Sequence, residues 1–147
     1  RTGEGREEPL DDLNVEFCLP DAQLYGVKTR FSYHQRIPTD LQTLAFDALV
    51  KYDHDDGSRE IYEYEPGWYP SEAPFAKSTR GGDEDSGYAI TIGTNVHDYR
   101  SEAWIFDAKR IAAGPVCRVR IPARVAPGFH ATWVPGRELW GAGGPRH

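Results

Sequence analysis

An all-β fold is predicted for this 147-residue chain by three observations. Short apolar/polar alternations recur at Thr29–Arg36, Ser58–Glu65 and Val116–Ile121, at the two-residue period of a half-buried strand. Turn chemistry separates them, at Asp55-Asp56-Gly57, Gly81-Gly82 and Gly114-Pro115. Aromatic residues make up 12% of the chain, with four Trp and eight Tyr, a composition that suits a packed β core or an aromatic-lined cavity.

Residues 1–12 are polar, carry Gly3, Gly5 and Pro9, and read as a loop or linker. Asn14–Leu19 is a short extended segment with Glu16 between Val15 and Phe17, closed by Pro20-Asp21. Thr29–Arg36 alternates Phe31 and Tyr33 with Arg30, Ser32 and His34, and Pro38 ends it. Leu44–Tyr52 pairs through the Asp55-Asp56-Gly57 turn with Ser58–Glu65 as a β-hairpin. Pro66-Gly67 and Pro70 break the chain before Ser71–Phe75, and Arg80–Gly87, with Asp83-Glu84-Asp85, reads as a solvated loop. Tyr88–Val96 and Glu102–Asp107 are strands joined by a turn at His97–Ser101, and Val116–Ile121 follows the Gly114-Pro115 connection. Residues 137–147 read as a flexible tail. A faint repeat runs through this order. Leu49–Asp53, a glycine-containing turn and a strand to Tyr64 resemble Ala103–Asp107, a turn at Gly114 and a strand to Ile121. Repeated hairpins at this spacing suit β-propeller blades, with a β-sandwich as the alternative.

Net charge is −6, and 17 Lys and Arg are scattered among 23 Asp and Glu, with a pI near 5.3. A basic stripe for nucleic acid is therefore not expected. Cys18 and Cys117 lack C-x-x-C spacing, so they suggest neither a zinc knuckle nor a disulfide framework. They read as small buried apolar groups in a reducing compartment. No apolar run reaches the ~20 residues that span a bilayer. The chain contains no methionine and begins at Arg1, which reads as the C-terminal part of a longer protein.

The stretch richest in chemical information is Arg120–Val134. His130 follows the Pro127-Gly128 break at the head of a short apolar run, where Pro127 fixes its own φ and Gly128 permits a close backbone approach. That arrangement places an imidazole at a strand entrance. Spacing alone favours a half-buried histidine satisfied by a carbonyl over a metal ligand, because one histidine is not a metal site. Phe129 and Trp133 beside it are either cavity walls or core. His54 and His147 read as exposed, His34 and His97 as structural, and no H-x-H or H-E-x-x-H spacing occurs.

Pro122, Arg124-Val125, Pro127-Gly128-Phe129-His130 and Trp133-Val134 resemble the C-terminal signature of the carotenoid cleavage oxygenase family. Ala131 departs from the glycine that many members carry after the histidine. The resemblance implies the C-terminal blades of a seven-bladed β-propeller, and it implies that His130 is the last of four histidine ligands to one non-haem Fe(2+). The other three would lie upstream of Arg1. Two glutamates match the family's carboxylates that orient ligand histidines. Glu72 would accept from His130, and Glu16 would hold a histidine outside this chain. Phe129 and Trp133 are candidates for a substrate tunnel. The implied reaction is dioxygenase cleavage of a conjugated C=C bond in a carotenoid, apocarotenoid or stilbene, giving two carbonyl products; a minority of members isomerise retinoids instead. The implied partners are an apolar small-molecule substrate and O2, with no nucleic acid, in a cytoplasmic protein with room for peripheral membrane contact through its remaining part. A non-catalytic propeller that binds partners, with a structural His130, is the competing expectation.

Overall fold

The computed structural model describes residues 3, 5–39 and 45–140. Among the described residues nine strands form two antiparallel sheets. The first sheet is the meander β1 (Val15–Leu19), β2 (Phe31–Arg36), β3 (Ala48–Asp53) and β4 (Arg59–Glu63). In the second, β5 (Trp68–Pro70), β7 (Gly87–Asn95), β8 (Ser101–Asp107) and β9 (Pro115–Ile121) lie in that order, and β6 (Phe75–Lys77) also pairs with β7. A five-residue helix, α1 (Gly136–Trp140), closes the described chain.

The all-β expectation holds, and the internal repeat has a structural meaning. Its two copies are β3–β4 and β8–β9, the last two strands of each sheet. In the first copy, Gly57 turns the chain with φ +73°, a conformation glycine adopts without steric cost. The hairpin strand begins at Ala48, and Leu44 lies outside the described residues.

The core lies between the sheets. On the first, Tyr33 and Leu49 face inward; on the second, Ala89, Trp104 and Phe106 do, and all five are almost fully buried. Aromatic contacts join the layers. Tyr62 meets Phe106 edge-on at 5.1 Å, Tyr64 tilts onto Trp104 at 5.6 Å, and Tyr33 stacks on Phe75 at 5.5 Å. Gln35 is completely buried among them, and its amide is satisfied on both sides: Nε2 donates to the Ser71 carbonyl at 2.9 Å and Oε1 accepts from Tyr64 Oη at 2.9 Å.

Four local expectations change. Pro70 ends a strand rather than breaking the chain, because β5 needs only three residues to pair with Gly93–Asn95. The segment after it also pairs, as β6. Gly87 explains how β6 fits so tightly, since a Cβ there would come within 2.4 Å of the Ala76 carbonyl oxygen. The acidic loop is only partly solvated. Glu84 accepts the backbone N–H groups of Arg30 and Phe31 at 2.8 and 2.9 Å, and Asp85 forms a buried ion pair with Lys51 at 2.8 Å. Cys18 and Cys117 are free and exposed. They sit on β1 and β9, the end strands of the two sheets, where no further strand covers them among the described residues.

No helix among the described residues is long and apolar enough to cross a membrane.

Candidate functional site

His130 is not at the entrance of a strand. Residues 122–135 form an irregular run between β9 and α1, because the ladder with β8 ends at Ser101 opposite Ile121 and no strand among the described residues continues it. Nor is Gly128 approached closely: a Cβ added there would meet nothing within 4 Å. Separate anchors hold the run instead. At its start, Thr94 Oγ1 donates to the Val125 carbonyl at 2.7 Å, and the Val125 N–H donates to Ser101 Oγ at 2.9 Å. Further on, the Glu72 N–H donates to the Phe129 carbonyl at 3.0 Å.

Glu72 is the central anchor. Its carboxylate is 7% exposed, although it follows a loop from β5. Burial of a carboxylate requires donors, and two are present. His130 Nδ1 lies 3.2 Å from Oε1, and the Ala131 N–H donates to Oε2 at 2.5 Å. The preceding residue fixes the backbone that presents it. The Ser71 carbonyl accepts from both Gln35 Nε2 and Thr91 Oγ1, and the Ser71 N–H donates to Ile92 O. A line of hydrogen bonds therefore runs from the buried core through Ser71 and Glu72 to the His130 imidazole.

The His130 side chain is 81% exposed. A carboxylate only accepts, so the proton sits on Nδ1 and the Nε2 lone pair is directed away from Glu72. No hydrogen bond from the described residues occupies Nε2. This donor set fits one ligand position of an imidazole-bound metal, with a carboxylate fixing the tautomer and ring orientation. Among the described residues no three His, Cys, Asp or Glu side chains converge to complete a metal site.

Glu16 is exposed on β1, opposite Gln35 in the ladder. Among the described residues no hydrogen bond joins it to Glu72 or His130. Phe129 is 44% exposed and packs edge-on against the buried Phe46 at 6.3 Å. Trp133 lies elsewhere, on the wall of an open cleft of about 770 Å³ that it shares with Asp21, Phe75, Lys77 and Arg137. The two tunnel candidates thus line different surfaces of the described chain.

Sequence reasoning missed Phe17. It has φ +58°, in the left-handed region that costs a non-glycine residue ~1–2 kcal/mol, and its ring meets His130 edge-on at 5.1 Å and Phe46 at 5.3 Å. A side chain next to Glu16 is expected on the opposite face of the strand, and nothing in the sequence signals the bulge that overrides this.

A second cluster lies on the outer face of the first sheet. Ser32 Oγ stands between His34 Nε2 at 2.8 Å and His54 Nε2 at 2.7 Å. Burial, and secondarily the charge of His54, pushes the His34 imidazole down to about 4.

Relatives in sequence and structure define the class of this chain. The family model for the retinal pigment epithelial membrane protein, RPE65, matches residues 1–135. The chain belongs to that family, the carotenoid cleavage oxygenases. Among its relatives, carotenoid 9,10(9',10')-cleavage dioxygenase 1 of Pisum sativum is 31% identical over 95% of this chain. The chain spans 28% of the length of that relative. Resveratrol cleavage oxygenase 1 of Chaetomium globosum is 36% identical over 40% of this chain and 10% of its own length. The cobalt-substituted Synechocystis apocarotenoid oxygenase superposes with a TM-score of 0.76 at 22% identity, over 85% of this chain and 26% of the other. The two sheets are accordingly blades of a β-propeller rather than the halves of a sandwich.

Proposed function

We propose that this chain supplies one of four histidine ligands to a ferrous centre, and that the whole protein cleaves a conjugated C=C bond of a carotenoid, apocarotenoid or stilbene with O2. The observation that carries the reading is the pairing of an exposed imidazole with a buried carboxylate. Glu72 holds Nδ1 and leaves Nε2 facing outward, the arrangement that orients a metal-bound histidine.

Bound ferrous iron would supply the open-shell centre at which dioxygen reacts with an alkene. The residues of this chain do the positioning. His130 presents a neutral nitrogen, Glu72 keeps the proton on the opposite nitrogen, and the Ala131 N–H shares the carboxylate so that it stays in place. Glu16 is assigned to a histidine outside this chain, and Phe129 to the wall facing an apolar substrate.

The test uses the full-length protein. It is loaded anaerobically with iron, and an apocarotenal and a hydroxystilbene are then offered side by side. Aldehyde formation from either establishes the reaction and its substrate class. His130→Ala is expected to lose both stoichiometric iron and product. A variant that keeps both makes His130 structural, whereas unaltered protein that binds no iron and forms no aldehyde favours the non-catalytic propeller.

A further inference from the structure

We infer that Phe17, held in a left-handed backbone conformation, is a positioning residue for His130, and that the bulge it makes in β1 presents Glu16 and Phe17 together on the side of the candidate metal centre. The inference rests on the reading of His130 as a ligand, and it adds a residue to that centre.

In a regular strand, neighbouring side chains point to opposite faces. Glu16 lies opposite Gln35, and the Gln35 side chain reaches the Ser71 carbonyl next to Glu72. Directly opposed residues share a face, so Glu16 lies on the side of the centre and regular alternation would turn Phe17 away from it. The ladder instead shifts register between Glu16 and Leu19, and Phe17 takes φ +58°. Its ring arrives on the same side, against both Phe46 and His130.

The imidazole needs such a support. Its hydrogen bond to Glu72 fixes one nitrogen, but the side chain is 81% exposed, and one bond leaves the ring free to tilt about that contact. The Phe17 ring crosses it at 74° with centroids 5.1 Å apart, an edge-to-face geometry that removes the tilt. Phe17 is backed in turn by Phe46, which is 3% exposed and part of the core. Glycine would occupy this bulge without strain. The strained residue is the one whose ring reaches the histidine, which couples the backbone cost to the site.

The experiment uses full-length protein loaded with cobalt(II), with release into excess chelator followed by the cobalt absorption spectrum. Phe17→Tyr keeps the ring and is expected to release cobalt within about twofold of the unaltered protein. Phe17→Gly removes ring and strain together and is expected to release it about tenfold faster, with no loss of thermal stability relative to Phe17→Ala. That split separates a positioning role from a merely structural one. Should neither small variant fold, Phe17→Leu, which keeps apolar bulk without a flat ring edge, decides on the same release rate and spectrum. Release and spectrum unchanged in the glycine variant, or in the leucine variant where that one decides, overturn the role of Phe17 alone. Unaltered full-length protein that takes up no cobalt overturns the ligand reading of His130 on which this inference rests.

Discussion

The interface between the two sheets and the run from residue 122 to 135 are built on opposite plans. Between the sheets, Leu49, Trp104 and Phe106 have no measurable exposure, the strands are in regular register, and Tyr33, Tyr62 and Tyr64 meet Phe75, Phe106 and Trp104 across the layers. The run has no regular secondary structure, and Phe129, His130 and Trp133 are exposed. Yet the candidate ligand sits on the run. The precision of the site therefore comes from the core. The run has no conformational preference strong enough to aim an imidazole, so its geometry is borrowed from the core at Thr94, Ser101 and Glu72, and the core reaches Glu72 through Gln35 and Ser71.

The largest effect is expected from Trp104→Ala. Trp104 lies at the centre of the inter-sheet layer, against Tyr64 and Trp68. Its truncation is expected to cost about 3–5 kcal/mol, read as a lower urea midpoint for the full-length protein. If stability falls by less than 1 kcal/mol, the sheets do not form one core.

A somewhat smaller effect concerns His34, on the other face of the first sheet. Its pKa is lowered from 6.5 to about 4 by burial and then by His54, with Asp11 acting weakly in the opposite direction. The unfolded chain therefore binds the proton more readily than the folded one. The stabilisation from a neutral His34 is complete above pH 6.5, is lost as pH falls through the window to about 4, and changes no further below it. At 1.36 kcal/mol per pH unit, the full loss is on the order of 3 kcal/mol. His34→Gln is expected to show a correspondingly smaller fall in stability between pH 7 and pH 4 than the unaltered protein. Equal acid sensitivity in the two proteins refutes the assignment.

How much of this was legible in the sequence follows the same division. Strands with period-two patterns and flanking turn residues, such as Phe31–Arg36 and the Val116–Ile121 part of β9, are visible because their signal is local. The three-residue strands Trp68–Pro70 and Phe75–Lys77 are too short to show a period, and they are strands only because β7 lies beside them. Asp85 looked like a loop acid because its partner Lys51 is 34 positions away. Glu72 and His130 are 58 positions apart, and no local pattern joins them. The family resemblance put them together, and the structure brings their side chains into hydrogen-bond distance. Phe17 was beyond either kind of reading, since a bulge depends on how two strands pair.

The smallest effect separates the run from the core most cleanly, because it loosens the one without disturbing the other. Thr94 and Ser101 face each other across β7 and β8, both buried, with their hydroxyls 2.8 Å apart. Together with the Val125 carbonyl and N–H they close a ring of three hydrogen bonds. Thr94→Val keeps the shape of the side chain and a β-branched residue in the strand, but it removes the donor to Val125. The expected loss is about 1 kcal/mol, near the size of one hydrogen bond and well below that of Trp104→Ala. Hydrogen exchange resolves where the loss falls. Faster exchange is expected at the Val125 amide and along residues 125–131, with the β7 and β8 amides unchanged. If the strand amides loosen together with the run, the two regions unfold as one unit, and the site is part of the core rather than anchored to it.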